Sequence, residues 1–124
     1  MRFITFTNGN TYEMWAKDSS LQEARITPQD FIQEASQKNI DAVLVTLWPR
    51  RVTPRTGNQN RFPDAGGYIQ EFINAGWNIQ DLVTLDNPIL QNIPGGINTR
   101  NFNNNHAQPF NSLVSGIRNY WSWI

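Results

Sequence analysis

Four arginines, Arg50, Arg51, Arg55 and Arg61, fall within twelve residues that hold no acid. A guanidinium is a rigid planar fork matched to phosphate and carboxylate oxygens, so four of them on one loop can neutralise several phosphates at once. Trp48 stands just before the run and Phe62 just after it, and with Trp77 they offer flat faces on which bases can stack. Arg100 and the asparagines around it extend the same chemistry, because amides read base edges in bidentate fashion. The ligand-binding residues predicted from this pattern are Arg50, Arg51, Arg55, Arg61, Arg100, Asn103 and Trp48. The competing readings are a solvated loop, arginines that bridge to Asp64, Glu71 and Asp86, and contact with the acids of a partner protein.

A second constellation is Asp86 with His106. Asp86 follows a β-prone apolar run, a position from which carboxylates of open α/β sheets project, and His106 is the one histidine, so a histidine general base must be this residue. The plainer readings are a turn aspartate before Asn87-Pro88 and a loop histidine. One histidine and no cysteine exclude two-histidine and thiolate metal sites and cysteine nucleophiles. There is no Gly-rich phosphate cradle, nucleophile elbow or nuclease-type carboxylate–lysine spacing, and Pro94-Gly95-Gly96 reads as a turn. Neither a metal nor a cofactor is expected. Asn101 to Asn105 is most simply loop filler, since asparagine tolerates left-handed backbone.

The formal net charge of zero conceals an uneven distribution. Residues 1–48 carry four bases and six acids, residues 49–62 four arginines alone, and residues 63–99 four acids alone. The arginine loop is therefore a local positive field on a chain that is not basic as a whole. Charged residues make up 16%, below the roughly 25% usual for soluble domains, and amides supply the remaining polarity. The 12% aromatic content, with five tryptophans, demands a core or a partner surface for large flat side chains. At 124 residues a single domain spanning 1–124 is expected. Without a leader-like or membrane-length apolar run, the expected location is the cytoplasm, with no membrane partner.

Several elements must position these residues. Phe3 to Thr7 and Thr11 to Trp15 flank Asn8-Gly9-Asn10 and predict an N-terminal hairpin. Ser20 with Glu23 resembles a capping box opening a short turn from Leu21 to Arg25. Thr27-Pro28-Gln29-Asp30 signals a helix start, the helix running to about Lys38 with Asn39 as a left-handed cap. The run 42–48 reads as a buried strand. Phe31-Ile32-Gln33-Glu34 and the strand after it are echoed by Tyr68-Ile69-Gln70-Glu71 and the strand 82–85, giving a second helix near 67–76 closed by Gly76. If the strands 42–48 and 82–85 run parallel in one sheet, the loops 49–66 and 86–109 converge on one rim. Helical spacing of Phe110, Leu113, Val114, Ile117, Tyr120, Trp121 and Ile124 predicts an amphipathic helix near 111–122.

The fold expected is α+β, or small α/β. It combines an N-terminal β-hairpin and two helix-strand units in a mixed sheet of about four strands with a C-terminal amphipathic helix, and its open edges or that helix favour a homo-oligomer. The function expected is a small non-enzymatic binding protein that holds a nucleotide or nucleic acid through the arginine-rich loop. The alternatives are a protein-interaction or inhibitor module anchored by aromatics, and a small hydrolase or nuclease using Asp86 and His106.

Overall fold

The computed structural model describes residues 2–5, 9–49, 62–86, 88, 90, 93–103, 117, 118 and 121. Among them the chain forms two helices and five strands with mixed α and β content: β1 (Arg2–Thr5), β2 (Thr11–Ser20), α1 (Pro28–Ser36), β3 (Ala42–Thr46), α2 (Ala65–Asn74), β4 (Leu82–Leu85) and β5 (Thr99–Phe102).

β2 organises the first sheet, whose order is β1-β2-β3. Its first half pairs antiparallel with β1, Thr11 facing Thr5 and Met14 facing Arg2. Its second half pairs parallel with β3, Met14 facing Ala42 and Ser20 facing Thr46 across a register shift between Ala16 and Ser20. This parallel partner holds the polar stretch after Trp15 in a strand, where local pattern is uninformative. Asp41 starts the parallel ladder: its N–H donates to the Glu13 carbonyl, and its Oδ2 accepts from the Glu13 N–H, both at 2.9 Å.

The turn Leu21–Arg25 connects β2 to α1 and is closed at both ends. Ser20 Oγ accepts from the Glu23 N–H at 3.1 Å, as the capping signal predicts. At the other end Ile26 N–H reaches back to the Leu21 carbonyl at 2.9 Å while Arg25 takes a left-handed φ of 58°, a Schellman-type closure without glycine.

α1 begins as its sequence dictates, with Thr27 Oγ1 accepting from the Asp30 N–H at 3.1 Å and Pro28 in the first turn. It buries Phe31 and Ala35, one helical turn apart. The left-handed cap expected at Asn39 is not formed: the helix ends at Gln37 in right-handed backbone, and bonds from Gln37 and Lys38 tighten the last turn. α2 opens on Asp64, whose Oδ1 accepts from the Gly67 N–H at 2.9 Å. It closes at Gly76, as expected, because φ +90° there lets the Trp77 N–H reach the Phe72 carbonyl at 3.0 Å. The same closure stacks the Trp77 indole on Phe72, centroids 4.9 Å apart.

The two helices share one core. Leu21, Phe31, Tyr68 and Phe72 are its buried centre, flanked by Trp15, Ile26, Ile32, Val43, Val45, Leu47, Trp77 and Ile79. Phe31 and Tyr68, which occupy matching places in the two helix-strand units, are both fully buried there. Each large side chain so enclosed stabilises the fold by about 1.5–3 kcal/mol. The Tyr68 hydroxyl donates to the Ile26 carbonyl at 2.6 Å, and burial pushes the phenol up to about 12.

The strands divide differently from the expected arrangement. Among the described residues β3 pairs with β2, whereas β4 pairs in parallel with β5 in a second ladder, Leu82 facing Thr99 and Leu85 facing Phe102. β5 lies inside the stretch expected to be one long loop from 86 to 109. β3 also ends at Thr46, because the Trp48 N–H leaves the ladder for a side chain described below. Of the C-terminal segment, Ile117 and Arg118 are helical and the Trp121 N–H donates to the Ile117 carbonyl at 3.0 Å; the rest of the helix expected near 111–122 lies outside the described residues. Of the turn expected at Asn8-Gly9-Asn10, Asn8 also lies outside the described residues, while Gly9 takes a positive φ of 90°.

Candidate functional site

The residues that flank the arginine-bearing segment 50–61 meet on a buried glutamine. Gln22 is fully buried in the closed turn after β2. Its Nε2 donates to the Trp48 carbonyl at 3.0 Å and to the Pro63 carbonyl at 3.4 Å, and its Oε1 accepts from the Trp48 N–H at 3.1 Å. One amide therefore ties the residue where the chain leaves β3 to the residue where it returns toward α2. A buried amide is tolerated only when its donors and acceptors are matched, and these are.

The returning end is fixed further. Phe62 is buried, and Pro63 abuts the first turn of α2 so closely that a Cβ on Gly67 would stand 2.5 Å from Pro63 Cβ. Glycine at 67 is thus a packing requirement. Asp64, which sequence reading offered as a partner for the arginines, is occupied as the α2 cap, and Glu71 Oε2 accepts from Gln29 Nε2 at 3.1 Å.

Of the predicted ligand-binding residues, Arg50, Arg51, Arg55 and Arg61 lie outside the described residues. Trp48 is half-exposed, at 49%, on the clamped neck. The other two proposed stacking faces are used by the core: Phe62 is 3% exposed, and Trp77 packs on Phe72 and edge-on to Phe31. Trp15 is likewise engaged, stacked on Phe31 at 4.9 Å with the Lys38 ammonium 4.6 Å from its ring centroid.

Arg100 and Asn103 belong to the second ladder. The Arg100 guanidinium sits 5.2 Å from the centroid of Phe102, its neighbour on the same face of β5. On the opposite face Thr84 Oγ1 donates to Asn101 Oδ1 at 2.9 Å, and Asn101 Nδ2 donates to Asn103 Oδ1 at 3.0 Å. Asp86 closes β4 in left-handed backbone, φ 61°, with its N–H donating to the Phe102 carbonyl at 2.9 Å. The structure thus brings Asp86, Arg100 and Asn103 to one two-stranded ladder, whereas Trp48 follows a strand of the other sheet. His106 lies outside the described residues. At the opposite end of β4, burial shifts the Asp81 carboxyl upward from its ordinary value.

Among the described residues no three carboxylate or imidazole groups cluster closely enough to hold a metal ion, and no helix is long and apolar enough to cross a membrane. Gln22 is the residue of this site that sequence reading missed. It sits in a polar stretch with no periodicity, and its partners are 26 and 41 positions away. No family model, characterised protein or solved structure matches the chain.

Proposed function

We propose that this chain is a small binding protein whose loop between Trp48 and Pro63, bearing Arg50, Arg51, Arg55 and Arg61, takes a phosphate-bearing ligand, a nucleotide or a nucleic-acid strand. The observation that carries this reading is the buried Gln22 amide bonded to both ends of that loop. A loop whose ends are held together has already lost part of the conformational freedom that binding would otherwise remove, so its charges engage a polyanion at lower entropic cost. Such a protein binds and retains its ligand rather than transforming it.

The test is equilibrium binding of labelled single-stranded RNA, single-stranded DNA and a mononucleotide at low and physiological salt. Wild type is compared with the Arg50→Ala, Arg51→Ala double variant. If both arginines contact phosphates of a single strand, the variant binds more weakly, and the slope of log affinity against log salt becomes shallower by roughly 1.4. Unchanged affinity and slope in a folded double variant would refute the assignment. A tight complex with a protein, indifferent to salt, would instead point to the aromatic-anchored alternative.

A further inference from the structure

We infer that Lys17, Lys38 and the Trp15 indole form a second site, separate from residues 50–61, that binds a compact dianion of the phosphate class. Trp15 is stacked on Phe31 with ring centroids 4.9 Å apart and 17° between the planes, so the indole is packed against the core. Lys17 follows it by two residues on β2, which returns its side chain to the same face of the strand, and its ammonium lies 5.5 Å from the ring centroid. Lys38 arrives from the exit of α1, where its N–H donates to the Ala35 carbonyl at 3.1 Å, and its ammonium lies 4.6 Å from the Trp15 centroid. Two elements distant in sequence thus bring two cations to one indole.

This pair lacks a counter-charge. Among the described residues neither ammonium donates a hydrogen bond or joins an ion pair, although Glu13 and Glu34 stand on the same two elements. The ring quadrupole attracts each cation, but the two cations repel each other, and an oxyanion between them turns that repulsion into two attractions. A lysine ammonium is a compact point charge with three rotatable donors, which suits a tetrahedral phosphate and does not demand a planar, bidentate group. Both lysines are half-buried, so part of their side-chain freedom is already lost before an anion arrives. Inorganic phosphate and the terminal phosphate of a small monoester share this chemistry.

The experiment follows the indole N–H signals by NMR while the protein is titrated at constant ionic strength with inorganic phosphate, with glycerol 3-phosphate and with dimethyl phosphate. At about pH 8 the first two are largely dianions and the third is a monoanion. Trp15→Phe identifies the Trp15 signal. That signal shifts saturably with both dianions, and dimethyl phosphate binds at least about 5-fold more weakly. Lys17→Gln and Lys38→Gln each weaken dianion binding by at least about 5-fold, the worth of one unit charge at contact distance in water. Lys38→Arg, which keeps the charge, retains binding and so separates lost charge from lost folding. The tighter of the two dianions identifies the source of the phosphate. No saturable shift, equal binding of dimethyl phosphate, or unchanged affinity in both glutamine variants overturns the site and leaves the function proposed above standing. The Arg50→Ala, Arg51→Ala double variant titrates as wild type does; loss of the Trp15 shift in it would assign the anion to residues 50–61 and overturn the second site.

Discussion

Replacing Gln22 by methionine tests whether the neck of the arginine loop is held as described. Methionine keeps the length and most of the volume of glutamine but removes the amide. Three hydrogen bonds are lost, two of good length at 3.0 and 3.1 Å and one long at 3.4 Å. At about 1 kcal/mol net for each good bond and less for the long one, the loss is about 2.5 kcal/mol. Burial of an apolar side chain in place of an amide offsets part of the loss, which leaves about 2 kcal/mol. Urea unfolding followed by circular dichroism should show a midpoint lowered by about 1 M with unchanged slope. Native-state hydrogen exchange adds local resolution: the Trp48 amide should lose more protection than the Trp77 amide, which donates to the Phe72 carbonyl in the core. Gln22→Glu should be worse at neutral pH, since a buried carboxylate has nothing to donate to the carbonyls of Trp48 and Pro63. Its folded-state pKa would lie above the unfolded value, so stability should recover as pH falls toward about 4. A loss below 0.5 kcal/mol for Gln22→Met, or a Trp48 amide as protected as before, would refute the clamp.

Two further perturbations probe the packing that supports the neck. The Tyr68 phenol, normally near 10, is raised to about 12 by burial, so the neutral form is favoured in the folded state. Its contribution is fully present below pH 10, falls as the unfolded chain ionises, and is lost as pH rises through about 12. Wild type should therefore lose about 2 kcal/mol over that interval relative to Tyr68→Phe, which itself should be about 1–2 kcal/mol less stable at pH 7 for want of the bond to Ile26; parallel stability–pH curves for the two proteins would contradict this. Gly67→Ala should gain up to about 1 kcal/mol of helix propensity but force Pro63 aside from a 2.5 Å approach, for a net loss of about 1–2 kcal/mol and a melting temperature lower by about 4 °C; an unchanged or higher melting temperature would contradict it.

Where local chemistry decides an element, its signals were readable in the sequence. Thr27-Pro28 and Gly76 mark ends of α1 and α2 because caps and positive-φ closures are made by residues a few positions apart, and the strand 82–85 is where its apolar run places it. Ser20 caps its turn for the same reason. Where a distant partner decides, the sequence was silent. β5 is Thr-Arg-Asn-Phe, four residues of mixed strand propensity in an asparagine-rich stretch, and its pairing with β4 is what marks it as a strand. Arg25 takes left-handed backbone with no glycine to announce it, and Asn39, a residue that favours that conformation, does not take it.

Gln22 is the sharpest case of the second kind. An arginine run is visible because charge is a property of composition, whereas the neck that closes the run depends on three segments meeting: the turn after β2, the exit from β3 and the approach to α2. The same glutamine exposed on a surface turn would contribute little. Buried with all three of its bonds made, it couples the core to the loop, because any shift of the Leu21–Arg25 turn must move Trp48 and Pro63 together or break the bonds. The backbone of Trp48 is therefore referred to the same frame as Leu21, Phe31, Tyr68 and Phe72.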